Sequence, residues 1–195
     1  MKEHEISILS RGGQGGVTLS KIIAYAATYD GFYTTAIPKY GAERRGAPIT
    51  TSVRIYDRPV KRHAQILEPT DIMALDISVV PRFFAKDPFN GKGTLTLNAG
   101  EIPEGYEIYQ PEKFGVCNVQ AITIEEGLVK SGSAMIGIPT LGAFIATSNI
   151  LTMKSLHKAI DKMFGHSIYL EANHRAVDRT FKETEVINNE QYIKT

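Results

Sequence analysis

The sequence predicts an α/β fold: a mostly parallel, Rossmann-like sheet with helices on both faces and one antiparallel hairpin. Three observations carry this expectation. A short apolar run (residues 5–10) breaks at Arg11-Gly-Gly-Gln-Gly-Gly16 and resumes with helical spacing from Val17 to Tyr29, a strand, glycine loop and helix in succession. Thr70-Asp-Ile-Met-Ala-Leu-Asp76 is a compact apolar segment bounded by acids, as an interior parallel strand requires. Strand-like and helix-like segments then alternate to the C-terminus.

In chain order, Ile6, Ile8 and Leu9 mark the first strand. Val17, Ile22, Ala26 and Tyr29, with Leu19, Ile23 and Ala27 beside them, make a mostly buried helix stopped by Gly31. Phe32 to Ile37 is a second strand, closed by Pro38. The polar segment Lys39-Tyr-Gly-Ala-Glu-Arg-Arg-Gly-Ala-Pro48 reads as a surface site loop. Ile49 to Tyr56 alternates as a half-buried strand, and Asp57-Arg-Pro59 turns it into a second short strand near Val60 to Leu67, which gives the hairpin. Ile77 to Ala85 is a short helix with Pro81 near its front, and Asn90 to Gly93 a turn. Thr94 to Asn98 and Tyr106 to Tyr109 read as strands, and Ile124 to Ser131 as a helix weakened by Gly127. Thr140 to Ile150 is an apolar helix, Thr152 caps Met153 to Phe164, and Glu171 to Lys182 is amphipathic, with Ala172, Ala176, Val177 and Phe181 facing in. The polar tail from Glu183 frays or docks on a partner. No repeat or linker divides the 195 residues, so they read as a single domain, residues 1–195, large enough to bury about 70% of its unfolded surface.

Composition excludes several functions. The net charge of +1 offers no general attraction to nucleic acid or anionic lipid. The lone Cys117 supplies neither an internal disulfide nor the four thiolates of an iron–sulfur cluster, which fits a reducing cytoplasm. No apolar stretch approaches the ~20 residues that cross a bilayer.

The first loop, Gly12, Gly13, Gln14, Gly15 and Gly16, suits an anion: glycines let backbone approach a ligand, and a helix N-terminus offers free N–H groups. The same loop could serve as a tight packing turn. As a dinucleotide fingerprint it is partial, with Ser10 at the first glycine place, and the second strand ends Ala36-Ile-Pro-Lys39 without the acid that a ribose needs. A Walker loop fails at Val17. In the second loop, Glu43, Arg44 and Arg45 either make surface ion pairs or turn guanidinium forks toward a carboxylate or phosphate. The five histidines, at 4, 63, 157, 166 and 174, show no ligand spacing and read as core or solvent residues. Ser10, Ser20 and Cys117 lack the setting of an activated nucleophile. The Gly-Asp-Gly that begins a thiamine diphosphate and magnesium site is absent from the sequence.

Taken together, Ile8-Leu-Ser-Arg-Gly-Gly-Gln-Gly-Gly-Val-Thr18, Ile37-Pro-Lys-Tyr-Gly-Ala-Glu-Arg-Arg-Gly-Ala-Pro48 and Val53-Arg-Ile55 resemble the gamma subunit of 2-oxoacid:ferredoxin oxidoreductases. The likeness runs on through Gln65-Ile-Leu-Glu-Pro-Thr-Asp71 and Ile138-Pro-Thr-Leu-Gly-Ala-Phe144, and so covers nearly the whole chain. The Glu-Arg-Arg-Gly-Ala-Pro form looks most like members acting on pyruvate or branched 2-oxoacids. Thr140 to Ala143 lacks the Asn often found before this helix in the family.

The resemblance implies a multisubunit, cytoplasmic enzyme of anaerobic metabolism. It would decarboxylate a 2-oxoacid with coenzyme A, giving acyl-CoA, CO2 and reduced ferredoxin or flavodoxin. Thiamine diphosphate, magnesium and iron–sulfur clusters would sit on alpha, beta and ferredoxin-like delta subunits, and the isolated chain would be inactive and could pair as a homodimer. Coenzyme A is the one ligand expected here, at Gly12 to Gly16 with Tyr40, Glu43, Arg44 and Arg45. The competing expectations are a structural subunit whose loops only pack on its partners, and an independent NAD-binding protein.

Overall fold

The computed structural model describes residues 3–38, 46–59, 64–84 and 93–192. Strand β1 (Glu3–Arg11) leads through the glycine loop into helix α1 (Gly16–Tyr29), followed by β2 (Tyr33–Pro38) and β3 (Pro48–Tyr56). Next come β4 (Asp71–Ala74), a 3-10 turn (Ile77–Val79), α2 (Val80–Phe84) and β5 (Thr94–Asn98). A second 3-10 turn (Tyr106–Tyr109) precedes β6 (Lys113–Cys117), α3 (Val119–Glu125) and a small two-stranded ribbon, β7 (Val129–Lys130) with β8 (Ser133–Ala134). The chain ends with α4 (Gly137–Ser148), α5 (Met153–Phe164), α6 (Leu170–Glu183), β9 (Glu185–Asn188) and α7 (Asn189–Tyr192).

Seven strands form one sheet in the order β2-β3-β1-β4-β5-β6-β9. The central four, β1, β4, β5 and β6, run parallel; β3 beside β1 and β9 beside β6 are antiparallel additions. Alternation along these strands sends Ile6, Ile8 and Met73 to one face and Leu9, Ile72 and Ala74 to the other. The first set packs with α1, α4, α5 and α6 through Leu19, Phe144, Leu156 and Val177; the second packs under α2 and the two 3-10 turns through Val80, Phe83 and Tyr106. The predicted α/β architecture, with a largely parallel centre and helices on both faces, is therefore present. No helix among the described residues is long and apolar enough to cross a membrane.

Several elements differ from their sequence expectation, each for a physical reason. The antiparallel partner of Ile49 to Tyr56 is β2 on one side and β1 on the other, not a strand at Val60 to Leu67. Residues 64–67 are irregular, and 60–63 lie outside the described residues. Being sandwiched between two strands and covered on both faces, Ser52 to Tyr56 is fully buried rather than half-buried. Tyr106 to Tyr109 winds as a 3-10 turn because Gly105 and Gln110 take left-handed conformations at its ends; Tyr106 and Tyr109 then stand one turn apart and pack edge to face. The Tyr106 hydroxyl donates to Ile77 O (2.7 Å), and burial, with the charges of Tyr109 and Asp76, pushes its pKa up to about 12. The helix expected at Ile124 to Ser131 begins earlier, at an Asn118 cap that accepts from Ala121 N, and stops before Gly127, whose φ of 75° ends it. In α6, Asn173 and Thr180 are buried with Ala176 and Val177, while Phe181 is 38% exposed. The tail docks as β9 on the β6 edge.

Candidate functional site

In an open α/β sheet a ligand is received beyond the carboxyl ends of the parallel strands, where successive crossovers go to opposite faces. Here that place lies between β1 and β4, since α1 packs on one face and α2 on the other. The carboxyl end of β1 carries the predicted loop Gly12 to Gly16; the end of β4 carries Asp76 and Ser78.

The loop is built from a few local demands. Gln14 N–H donates to Arg11 O (3.0 Å), and the Gln14 side-chain Oε1 accepts from Arg11 N–H (2.7 Å), which closes a tight ring. Gly13 and Gly15 take φ of 97° and 85°, backbone that residues with a Cβ rarely adopt. A Cβ on Gly16 would lie 2.7 Å from Ser10 Oγ and 3.3 Å from Thr51 Oγ1, so glycine lets the start of α1 seat against β1 and β3. The α1 N-terminus has a glycine cap with no side-chain hydrogen bond and no acid in its first turn. The first amide bonded back within the helix is Leu19 N–H, to Gly15 O (3.0 Å). Thr51 Oγ1, wholly buried beside Gly16, has no hydrogen-bond partner.

The structure also joins the first loop to the flank of the second. Gly12 N–H donates to Ala47 O (2.8 Å), and Gly46 N–H donates to Gly12 O (3.1 Å). Tyr40, Glu43, Arg44 and Arg45 themselves lie outside the described residues; the residue that follows them is thus hydrogen-bonded to the glycine loop. Arg11, present in the motif but not among the predicted site residues, holds this junction. Its Nε donates to Asp76 Oδ2 (2.6 Å), one Nη to Ser78 Oγ (2.6 Å) and the other to Gly46 O (3.0 Å). Asp76 in turn caps the following 3-10 turn through Ser78 N–H (2.9 Å). A charged pair at the end of β1 and just after β4 was the available signal for this clasp, but strand order was needed to bring them together.

Partial burial pushes the Asp76 carboxyl up, but the Ser78 hydroxyl, Arg11 and the Ser78 amide outweigh it and hold the group below the ordinary aspartate value of 3.8. Because the folded value is depressed, the Asp76 contribution to stability is complete above 3.8 and is lost as pH falls through the lower folded value. Asp76→Asn should therefore lower the melting temperature by an equal amount at pH 7 and pH 5, and that difference should shrink below pH 3.8. Thermal unfolding of both proteins across this range measures it; a gap that persists in acid would contradict the assignment.

Strand order speaks against the dinucleotide alternative. β2 follows α1 but sits two places from β1, because β3 lies between them, so its end is displaced from where a ribose-binding acid stands beside the glycine loop. Cys117 is 4% exposed; burial pushes its thiol up, and it acts as a core residue. Among the described residues, no group of three or more His, Cys, Asp and Glu side chains is arranged to hold a metal. His4 faces Asp71 (3.4 Å), His166 is exposed, His63 lies outside the described residues, and His157 meets His174 across α5 and α6.

Comparison with known proteins agrees with these observations. The family described as pyruvate ferredoxin/flavodoxin oxidoreductase matches residues 5–183. The pyruvate/ketoisovalerate oxidoreductases common subunit gamma of Pyrococcus furiosus is 31% identical over 188 residues, covering 93% of this chain and 97% of that protein. Pyruvate synthase subunit PorC of Methanothermobacter thermautotrophicus is 34% identical over 184 residues, covering 93% and 96%. The crystal structure of pyruvate oxidoreductase subunit PORC from Thermotoga maritima superposes with a TM-score of 0.79 at 27% identity, covering 95% of this chain and 99% of that one. The fold also recurs in the 2-oxoglutarate:ferredoxin oxidoreductase of Magnetococcus marinus (TM-score 0.68, 17% identity), where it covers 92% of this chain and 30% of that one. Matched by that family over residues 5–183 and by gamma subunits over 93% of its length, the chain belongs to the pyruvate ferredoxin/flavodoxin oxidoreductase family, among its gamma subunits.

Proposed function

We propose that this chain is the gamma-type subunit of a cytoplasmic, CoA-dependent 2-oxoacid:ferredoxin oxidoreductase, with pyruvate as the first substrate to test, and that its two joined loops receive the CoA phosphates. The observation that carries the reading is the reciprocal pair of hydrogen bonds between Gly12 and Gly46–Ala47 at an uncapped helix N-terminus. Gly46, which follows Arg44 and Arg45 in the chain, is thereby held at the start of α1, and an anion there would gain from helix N-terminal amides and from guanidinium donors together. Gly12, Gly13, Gln14, Gly15 and Gly16 would offer backbone N–H groups, with Tyr40 and Glu43 shaping the second loop. Arg11, which directs three of its five donors to Asp76, Ser78 and Gly46, acts as a positioning residue.

This chain's residues do not fit the remaining cofactors of the reaction. One buried cysteine cannot bind an iron–sulfur cluster, and the sequence has no Gly-Asp-Gly for thiamine diphosphate and magnesium. Those groups belong to alpha, beta and ferredoxin-like delta partners, with ferredoxin or flavodoxin as acceptor. Replacing Arg44 and Arg45 with Ala in the reconstituted complex is expected to raise the KM for CoA by about tenfold or more, as the loss of charge-assisted hydrogen bonds predicts, while decarboxylation of the 2-oxoacid stays nearly unchanged. An unaltered CoA dependence would leave the loops as packing surfaces. Failure of the complex to assemble would point to the purely structural subunit instead.

A further inference from the structure

Helices α5 and α6 each carry a His-x-x-x-Asp step, His157 with Asp161 and His174 with Asp178, and the helices run antiparallel so that the two steps face each other. The pairing is crossed: His157 Nε2 lies 2.8 Å from Asp178 Oδ1, and His174 Nε2 lies 2.8 Å from Asp161 Oδ1. The two Nδ1 atoms are in contact, with ring centroids 4.6 Å apart and tilted by 37°.

This arrangement constrains where hydrogens sit. An ionised carboxylate only accepts, so each Nε2 carries the N–H, and a neutral ring then turns the lone pair of Nδ1 toward the other ring. Two lone pairs in contact repel; one proton shared between the rings or one metal cation between them completes the arrangement. A carboxylate behind each imidazole is also what orients metal-binding histidines, fixing the tautomer and raising the basicity of the free nitrogen. Three neighbouring cations are engaged elsewhere: Lys158 sits over the Tyr29 ring (4.1 Å), Arg175 pairs with Glu126, and Arg179 pairs with Glu125, Glu126 and Glu183. The charged groups hydrogen-bonded to the rings are Asp161 and Asp178. The ring side chains are 27% and 18% exposed, open enough to solvent for an ion to enter.

We propose that Nδ1 of His157 and Nδ1 of His174 bind one divalent transition-metal ion of the imidazole-preferring class, with zinc as the probe, water filling the remaining positions. Zinc bonds imidazole nitrogen at about 2.0–2.1 Å, so the rings need only swing slightly apart about their Asp anchors to admit it. With two protein ligands rather than three or four, the ion would bind reversibly and clamp α5 to α6.

Calorimetric titration of the untagged full-length chain with Zn2+, paired with nitrogen-15 spectra of the histidine rings, tests this. The expected result is one ion per chain, movement of both Nδ1 signals, at least a tenfold weaker affinity in His157→Ala and in His174→Ala, and about tenfold weaker binding in Asp161→Asn/Asp178→Asn. Should an alanine variant fail to fold, the ring spectra of the unsubstituted chain decide alone. Absence of saturable binding up to millimolar Zn2+, or binding that leaves both Nδ1 signals unmoved, would overturn the proposal; spectra showing one proton shared between the rings under saturating Zn2+ would do the same.

Discussion

Arg54→Ala should lower the melting temperature by about 10 °C, the largest loss expected of any single side chain here. Arg54 is 1% exposed, in the middle of β3, directly opposite Glu5 of β1. Its Nε donates to Glu5 Oε1 (2.5 Å), one Nη to Ala64 O and the other to Gln65 O (3.1 Å). Its guanidinium therefore ties three things together: the β1–β3 pair, a mostly buried carboxylate, and the chain as it returns toward β4. Truncation leaves that carboxylate and two carbonyls without their donor. Removing one partner of a buried pair costs about 3–5 kcal/mol, and each kcal/mol shifts the midpoint by about 2–4 °C in a chain of this size. Arg54→Lys keeps the charge, but a single ammonium cannot serve three divergent acceptors, so an intermediate loss is expected. Differential scanning calorimetry of the three proteins decides it; a melting temperature unchanged within about 2 °C in the alanine variant would show the pair to be dispensable.

Gly142→Ala should be nearly as damaging. Gly142 lies in α4 where it crosses α6, and an added Cβ would overlap Val177 O and Thr180 Oγ1 and stand 3.0 Å from Phe181 N. Two of those three atoms are backbone, so no rotamer change relieves the clash. The helices must separate, and with them the bond from Thr180 Oγ1 to Pro139 O (2.7 Å). Overpacking a filled core costs about 1–3 kcal/mol, and an obstacle made of backbone puts this case at the upper end. The double variant Gly142→Ala/Thr180→Ala should recover little, because Val177 O remains in the way. Full recovery in a melting experiment would show that the hydroxyl alone sets the spacing. The glycine of Leu141-Gly-Ala143, which the sequence resemblance singled out, thus has a packing reason independent of any ligand.

The 3-10 and strand differences described above share one cause with these two predictions. A segment's neighbours, not its own pattern, decide which of its faces is covered. Tyr106 to Tyr109 has a strand-like composition, yet the left-handed ends at Gly105 and Gln110 and the stack of Tyr109 on Phe84 (4.1 Å) wind it into a turn. β6, with Gly115 at its centre, carries no clear strand signal; glycine is required there because a Cβ would strike the Thr147 side chain of α4. The polar tail could not announce itself as an edge strand, since its pairing with β6 uses backbone groups that every residue has.

From the sequence alone, local chemistry was readable: the strand, glycine loop and helix at the N-terminus, Thr152 as the cap of α5, the buried Cys117, the lack of a Gly-Asp-Gly and of a second cysteine, and the two loops that resemble gamma subunits. These follow from spacing within a dozen residues, where backbone geometry alone relates one side chain to the next. The tertiary structure decided what depends on distant segments meeting. It placed β3 between β1 and β2, bonded Gly12 to Ala47, drew Arg11 to Asp76, buried Arg54 at a position where alternation expects solvent on one face, and set His157 against His174. The strand pairings and the contacts of Gly12, Arg11 and His157 named here join residues 13 or more positions apart in the chain, the shortest being Pro38 with Thr51 across β2 and β3. No local period reaches that far, and only the burial of both sheet faces chooses among the pairings the chain could make.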